Sequence, residues 1–289
     1  MKYARIIVMA LLATASPSNF GRCILRLSIF AVSVGTLSDC SEKVGFDAAQ
    51  FVTPSPSEWQ QFEKMHIVFG HQSVGANLIA GVKLLAAERG VTLSIADTPI
   101  ADKPVLIRQF YIGSNGNPQS KLDAFDIALA NGAAQGTDVA EMKFCFADFP
   151  DSVDPKQLAQ TYLKHIETLS ARYPDIIFLA TTSPLTTIQT GPKAWIKRAM
   201  GKLPGGYVEN MRRYEFNQIL RDHYGNSAHL FDLAQIESKP GHTGFQYGAQ
   251  SFEALAPEIS DDGGHLNIRG QRMVASAWIR QLAGLKPHD

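Results

Sequence analysis

The chain has 289 residues, of which 45% are hydrophobic and 19% charged, the ordinary mixture of a globular protein able to bury a sizeable core. Lysine plus arginine equals aspartate plus glutamate at 27 each, so the formal net charge is zero and nothing resembles the basic excess of a nucleic-acid binder. Only Cys145 of the three cysteines lies beyond residue 40, which leaves no material for a disulfide framework.

The first forty residues read as a targeting segment. Lys2 and Arg5 precede the apolar run Ile6 to Leu12 and a small-residue stretch, Ala13-Thr14-Ala15. A second candidate follows, with Arg22 and Arg26 ahead of Leu27 to Leu37 and then Ser38-Asp39-Cys40. It resembles a lipoprotein signal, with Asp39 standing where a small residue is usual. Both runs are shorter than the roughly 20 residues a membrane span needs. Export, to a periplasmic or secreted location, is therefore expected, and membrane attachment only through such a signal anchor or a lipid at Cys40. Residues 41–56 are polar and proline-bearing, as in a linker, and 57–289 read as one domain.

Within that domain strand-like and helix-like segments alternate. His66 to Phe69 is a short apolar run leading into a helical pattern through Leu78, Ile79, Val82, Leu85 and Ala86 that Gly90 closes. Val91 to Ala96 reads as a second strand, and a long loop with Pro99, Pro104, Gly113, Gly116 and Pro118 leads to a helix near Lys121 to Leu129. Asp138 to Ala147 holds a third strand, Ile176 to Thr182 a fourth and His229 to Leu233 a fifth. Helices are expected at Pro155 to Tyr173, Tyr207 to Tyr224 and Ile268 to Leu285. This alternation predicts an α/β protein with a five-stranded, flavodoxin-like parallel sheet covered on both faces. Residues just after the strands, such as Ser73, the 113–118 loop, Asp148 and Ser183, then share one rim.

Two short stretches carry the chemistry. Gly70-His71-Gln72-Ser73-Val74-Gly75 puts a serine at a strand-to-helix turn, where it is either an N-cap or a nucleophile beside the positive end of a helix. The spacing of Gly70 and Gly75 imitates a phosphate-binding loop, but Ala76-Asn77 stand where that motif needs Lys and then Ser or Thr. Asp261-Asp262-Gly263-Gly264-His265 puts a carboxylate three residues before a histidine; the spacing favours Asp262 over Asp261 as its orienting partner. The bland alternative is a capped turn with a surface histidine. His71 is expected to face the pocket or to support the turn, and a metal site from His71 and His265 lacks a ligand-spaced partner. Lys193, Lys197, Arg198 and Lys202, with Arg212 and Arg213, read as a solvated basic face, or as a grip for an acidic saccharide.

These motifs resemble the SGNH (GDSL-like) hydrolases. His71-Gln72-Ser73 is similar to the Gly-Gln-Ser variant of their serine block in some carbohydrate esterases, and Asp262-Gly-Gly-His265-Leu-Asn with Gly270 to their last block. Thr181-Thr182-Ser183-Pro184, Asn217 and Phe231-Asp232-Leu233 also look like the family. The resemblance spans roughly residues 64 to 285. It implies a three-layer α/β/α sandwich and ester hydrolysis by Ser73, His265 and Asp262, without metal or organic cofactor. It further implies an oxyanion hole from Ser73 and Gly116, with Asn117 or Asn115 in place of the family's third-block asparagine, which Phe144-Cys145-Phe146-Ala147-Asp148 lacks. His71 and Gln72 are then expected to contact substrate, and Asp148 to contact substrate or an arginine. The expected substrate is a small-molecule or polysaccharide ester, above all a carbohydrate O-acetyl group. An O-acyltransferase using the same three residues, and a non-catalytic carbohydrate-binding module on the same scaffold, are the alternatives.

Overall fold

The structure, a computed structural model, describes residues 52–238 and 243–285. The stretch expected to be a targeting segment, Cys40 and most of the expected linker lie outside these residues. Among the described residues no helix is long and apolar enough to cross a membrane.

Six parallel strands form the central sheet: β1 (Ile67–His71), β2 (Ile95–Ala96), β3 (Ile107–Tyr111), β4 (Val139–Met142), β5 (Ile177–Thr181) and β6 (Leu230–Phe231). Their spatial order is β2-β3-β1-β4-β5-β6. With the two-residue edge strand β2 set aside, this is the doubly wound 2-1-3-4-5 order. Strands β1 and β5 are buried along their whole length. Apolar residues on both faces are what a sheet covered by helices on both sides requires.

One layer consists of α1 (Pro56–Phe62), α2 (Val74–Glu88) and α8 (Ile268–Ala283), whose Trp59, Phe62, Leu78, Val82, Trp278 and Ile279 pack on one face. The other holds α3 (Pro118–Ala128), α4 (Pro155–Arg172) and α6 (Tyr207–Tyr224), with Phe125, Tyr162 and Phe216. The three-layer α/β/α sandwich is therefore present. Two further α-helices among the described residues are α5 (Gly191–Ala199) and α7 (Leu233–Glu237), and an antiparallel hairpin of β7 (Thr243–Tyr247) and β8 (Gln250–Glu253) lies outside the sheet.

Helix starts follow local chemistry. Ser55 and Glu58 form a reciprocal capping box on α1, Asp154 accepts the Lys156 and Gln157 N–H groups at the start of α4, and Asn267 caps α8 through the Gly270 N–H. Proline at the first position of α1, α3 and α4 removes an N–H that would have no partner there.

The sheet corrects the expected count of five strands. β3 lies inside the stretch expected to be a loop and pairs with both β1 and β2. Its sequence, Ile-Arg-Gln-Phe-Tyr, has no apolar run; its edges are satisfied by partners distant in sequence. The expected strand Asp138–Ala147 is also shorter than anticipated, ending at Met142 before a single helical turn over Phe146–Asp148, of which only Asp148 is buried.

The feature that most directly builds the site is the contact of α2 with α8. A Cβ on Gly81 would lie 2.1 Å from the Gln271 carbonyl oxygen, so these helices approach as closely as glycine permits. α2 begins one residue after Ser73, and α8 begins three residues after His265. On the sheet side the Trp278 indole N–H donates to Glu141 Oε2 at 2.6 Å, fixing α8 against β4.

Candidate active site

All six strands run the same way, so the turns after β1, β3, β4 and β5 meet at one rim. Ser73 stands there at the amino end of α2 with φ 43° and ψ −100°, and no other non-glycine residue described has a positive φ. Such a conformation costs of the order of 1–3 kcal/mol and persists only when its surroundings enforce it. The side chain makes no capping hydrogen bond. Instead its Oγ is hydrogen-bonded to His265 Nε2, across 192 residues of sequence. The Ser73 N–H has no partner among the described residues.

His265 is held from its other nitrogen. Nδ1 lies 2.6 Å from Asp262 Oδ2, while Asp262 Oδ1 accepts the backbone N–H groups of His265 at 2.7 Å and Gly264 at 2.9 Å. The His265 backbone N–H, then its ring, then the Gly264 N–H hold the Asp262 carboxyl well below the usual carboxylate range. Asp262 is thus an anion at neutral pH. Asp261 Oδ1 faces Asn267 Nδ2 at 3.3 Å instead.

Three residues that sequence reasoning had not singled out secure this turn. Ser260 Oγ donates to the His265 carbonyl at 2.6 Å and accepts the Gly263 N–H. Asn77, one helical turn beyond Ser73, accepts the Leu266 N–H through Oδ1 at 3.1 Å, tying the histidine turn to the serine helix. Phe146 presents its ring to His265 edge-to-face, with centroids 5.6 Å apart, and Arg213 lies over that ring at 5.9 Å. The only sequence signal for Asn77 is its place four residues after the serine.

The other expected site residues are used differently. His71 is fully buried, its Nε2 2.5 Å from Gln109 Oε1, and Gln109 bonds onward to Asp97. Burial pulls its pKa down to about 4, so at neutral pH it is an uncharged support beneath the turn, closed off from solvent. Gln72 donates its amide N–H groups to the carbonyls of Ile112 and Gly113, each at 3.0 Å, and thereby braces the serine turn against the next loop. Asp148 is also fully buried: Lys121 Nζ lies 2.5 Å from Oδ2, which also accepts the Cys145 N–H at 2.7 Å.

Asp148 also corrects the expected oxyanion hole. Its Oδ1 accepts the Gly116 N–H at 2.8 Å, so the donor assigned to an oxyanion is already engaged. Asn117 caps α3, its Oδ1 accepting the Ser120 N–H and its backbone N–H bonding Ser114. Asn115 turns its Oδ1 to Lys121 Nζ at 2.9 Å, which leaves its amide N–H2 uncommitted. Among the described residues no group of three His, Cys, Asp or Glu side chains is placed to hold a metal ion.

His71 imposes a strict requirement on the turn. A Cβ on Gly75 would lie 2.4 Å from both Cβ and Cγ of His71, and that ring is locked in the core. Gly75→Ala is therefore expected to destabilise the fold by about 1–3 kcal/mol, through overpacking. It should also shift Ser73, two residues away, relative to His265. Urea unfolding of the variant beside the parent protein measures the loss of stability.

No protein-family model matches the sequence, and no curated protein matches it. Solved structures similar to it include a member of the lipolytic G-D-S-L family from Veillonella parvula, at 14% identity over 76% of this chain and 98% of that one, with a TM-score of 0.42. An acetyl xylan esterase is 16% identical over 73% of this chain and 96% of that one, with a TM-score of 0.40. A salicylyl-acyltransferase from a tetracycline biosynthetic pathway is 11% identical, covering 76% of this chain and 55% of that one, with a TM-score of 0.38. What the site can do is set by its own atoms.

Proposed function

We propose that this protein is a serine ester hydrolase. The observation that carries the reading is the continuous relay from Ser73 Oγ to His265 Nε2 and from His265 Nδ1 to the Asp262 carboxylate. A capping serine would bond its own helix, and this one does not.

In this reading Ser73 Oγ attacks the ester carbonyl carbon while His265 Nε2 takes its proton. Asp262 holds the imidazole in the tautomer that leaves Nε2 able to accept. Negative charge on the carbonyl oxygen is met by the free Ser73 N–H and the amino end of α2. Collapse breaks the ester C–O bond, and His265 returns the proton to the departing alkoxide. Water, deprotonated by His265, then releases the acid from the acyl-enzyme and restores the serine.

The finer reading is removal of an acetyl or other short acyl group from a carbohydrate, outside the cytoplasm. It rests on the Gln72-Ser73 motif and on the composition of the first forty residues. A fluorophosphonate probe tests the chemistry directly. Covalent labelling confined to the peptide carrying Ser73 is the expected result, and a folded protein that resists the probe would sink the assignment. Acetate release from acetylated xylan then tests the substrate class.

A further inference from the structure

Beyond the relay, one surface is built unlike the rest of the molecule. After β5 the chain leaves the rim, and the Thr187 N–H donates to the Gly263 carbonyl at 2.9 Å, inside the histidine turn. It then projects outward as an excursion closed at its neck by two bonds between Gln189 and Gly205. α5 occupies this excursion and buries only Ala194.

The outward side of the excursion is apolar. Trp195 is 71% exposed, and Ile196, Met200 and Leu203 are also exposed. These are four of the ten exposed large hydrophobic residues described, gathered within nine positions. Scattered exposed apolar residues need no explanation, but a contiguous group does. At the helical repeat of 3.6 residues, Trp195, Ile196, Ala199 and Met200 fall on one arc opposite Ala194. Lys193 and Lys197 flank that arc on one side and Arg198 on the other, with Lys202 just beyond the helix. No acidic residue occurs from Ile176 to Val208, and none of the four cations is in an ion pair among the described residues.

An outward apolar arc with cations on its flanks is the arrangement of a helix that lies in a lipid interface: the apolar side chains enter the acyl boundary and the cations meet phosphates. An acidic polysaccharide would use the cations and stack a sugar ring on Trp195, but would leave Ile196, Met200 and Leu203 in water. We propose that this excursion docks on an anionic phospholipid surface, holding the rim beside Asp262 and His265 against the membrane. The inference does not depend on the hydrolytic reading.

Trp195 is its own reporter, because the other two tryptophans, Trp59 and Trp278, are buried at 2% and 0% exposure. The full-length protein is titrated with vesicles of phosphatidylglycerol and phosphatidylcholine, and with vesicles of phosphatidylcholine alone. Expected with the anionic vesicles are a blue shift of Trp195 emission and its quenching by brominated acyl chains, both lost in high salt. Lys197→Gln with Arg198→Gln should lower partition about 30-fold, at about fivefold per cation. Trp195→Phe should remove the optical response and leave binding. The proposal is overturned if the full-length chain binds vesicles while Trp195 stays open to acrylamide, since another segment then makes the contact. It is equally overturned if Trp195 responds to a soluble acidic polysaccharide and not to vesicles, or if its emission shifts with protein concentration alone.

Discussion

Replacing Ser73 with alanine is expected to lower kcat on a short-chain ester by about a millionfold, the scale on which a serine nucleophile and its base act as one unit. The variant should stay folded, because the lost contact is a surface hydrogen bond to His265 and alanine is sterically close to serine. What alanine does not relieve is the backbone. Ser73 sits at φ 43°, a region L-residues avoid, and alanine inherits the strain. Glycine does not, so Ser73→Gly should be about 1 kcal/mol more stable than Ser73→Ala while equally inactive. Chemical denaturation of the pair, with turnover measured on the same samples, separates two roles. If both variants lose activity and only glycine gains stability, strain is stored at the position of the attacking atom. If Ser73→Ala keeps measurable turnover, the nucleophile lies elsewhere.

Much of this arrangement was legible before any coordinates, for a definite reason. Strand-to-helix alternation, the serine after the first strand and the Asp-x-x-His before the last helix are local patterns, and parallel strands oblige the turns that follow them to share a rim. What stayed hidden depends on partners distant in sequence. Strand β3 is polar in its middle and became a strand because β1 and β2 lie on either side of it. Gly116 looked like a free donor because nothing near it in sequence shows that Asp148, 32 residues on, takes its N–H. Asp148 looked like a substrate contact because nothing near it in sequence shows that Lys121, 27 residues earlier, is buried beside it as its partner. His71 lies two residues before Ser73, yet the strand's alternation sends its ring under the turn and out of reach of solvent. The basic stretch read as a solvated face holds for Lys193, Arg198 and Lys202, which are exposed, but not for Arg213, which the packing of α6 buries where no pattern of charges could show it.

Asp262→Asn is the second large effect, and the hydrogen bonds around that carboxylate determine how it arises. Oδ1 accepts two backbone N–H groups, from Gly264 and His265, and only Oδ2 faces the imidazole. An asparagine at 262 must keep its carbonyl oxygen on those backbone donors, since an amide N–H2 there would point hydrogen at hydrogen. Its N–H2 is then turned to His265 Nδ1, which has to accept. The proton moves to Nε2, the nitrogen that must be bare to receive the Ser73 proton. The turn survives and the base is disabled. The expected loss is about 10⁴-fold in kcat, as when a catalytic histidine is held in the wrong tautomer, with KM and the unfolding midpoint nearly unchanged. Asp262→Ala removes the same partner but also leaves two backbone N–H groups without their acceptor, so it should lose stability as well as rate. Fluorophosphonate labelling rates provide an independent measurement: both variants should react slowly, with Asp262→Asn the better folded of the two. An asparagine variant that turns over near the wild-type rate would show that Asp262 merely shapes the turn, and that His265 is oriented by something other than this carboxylate.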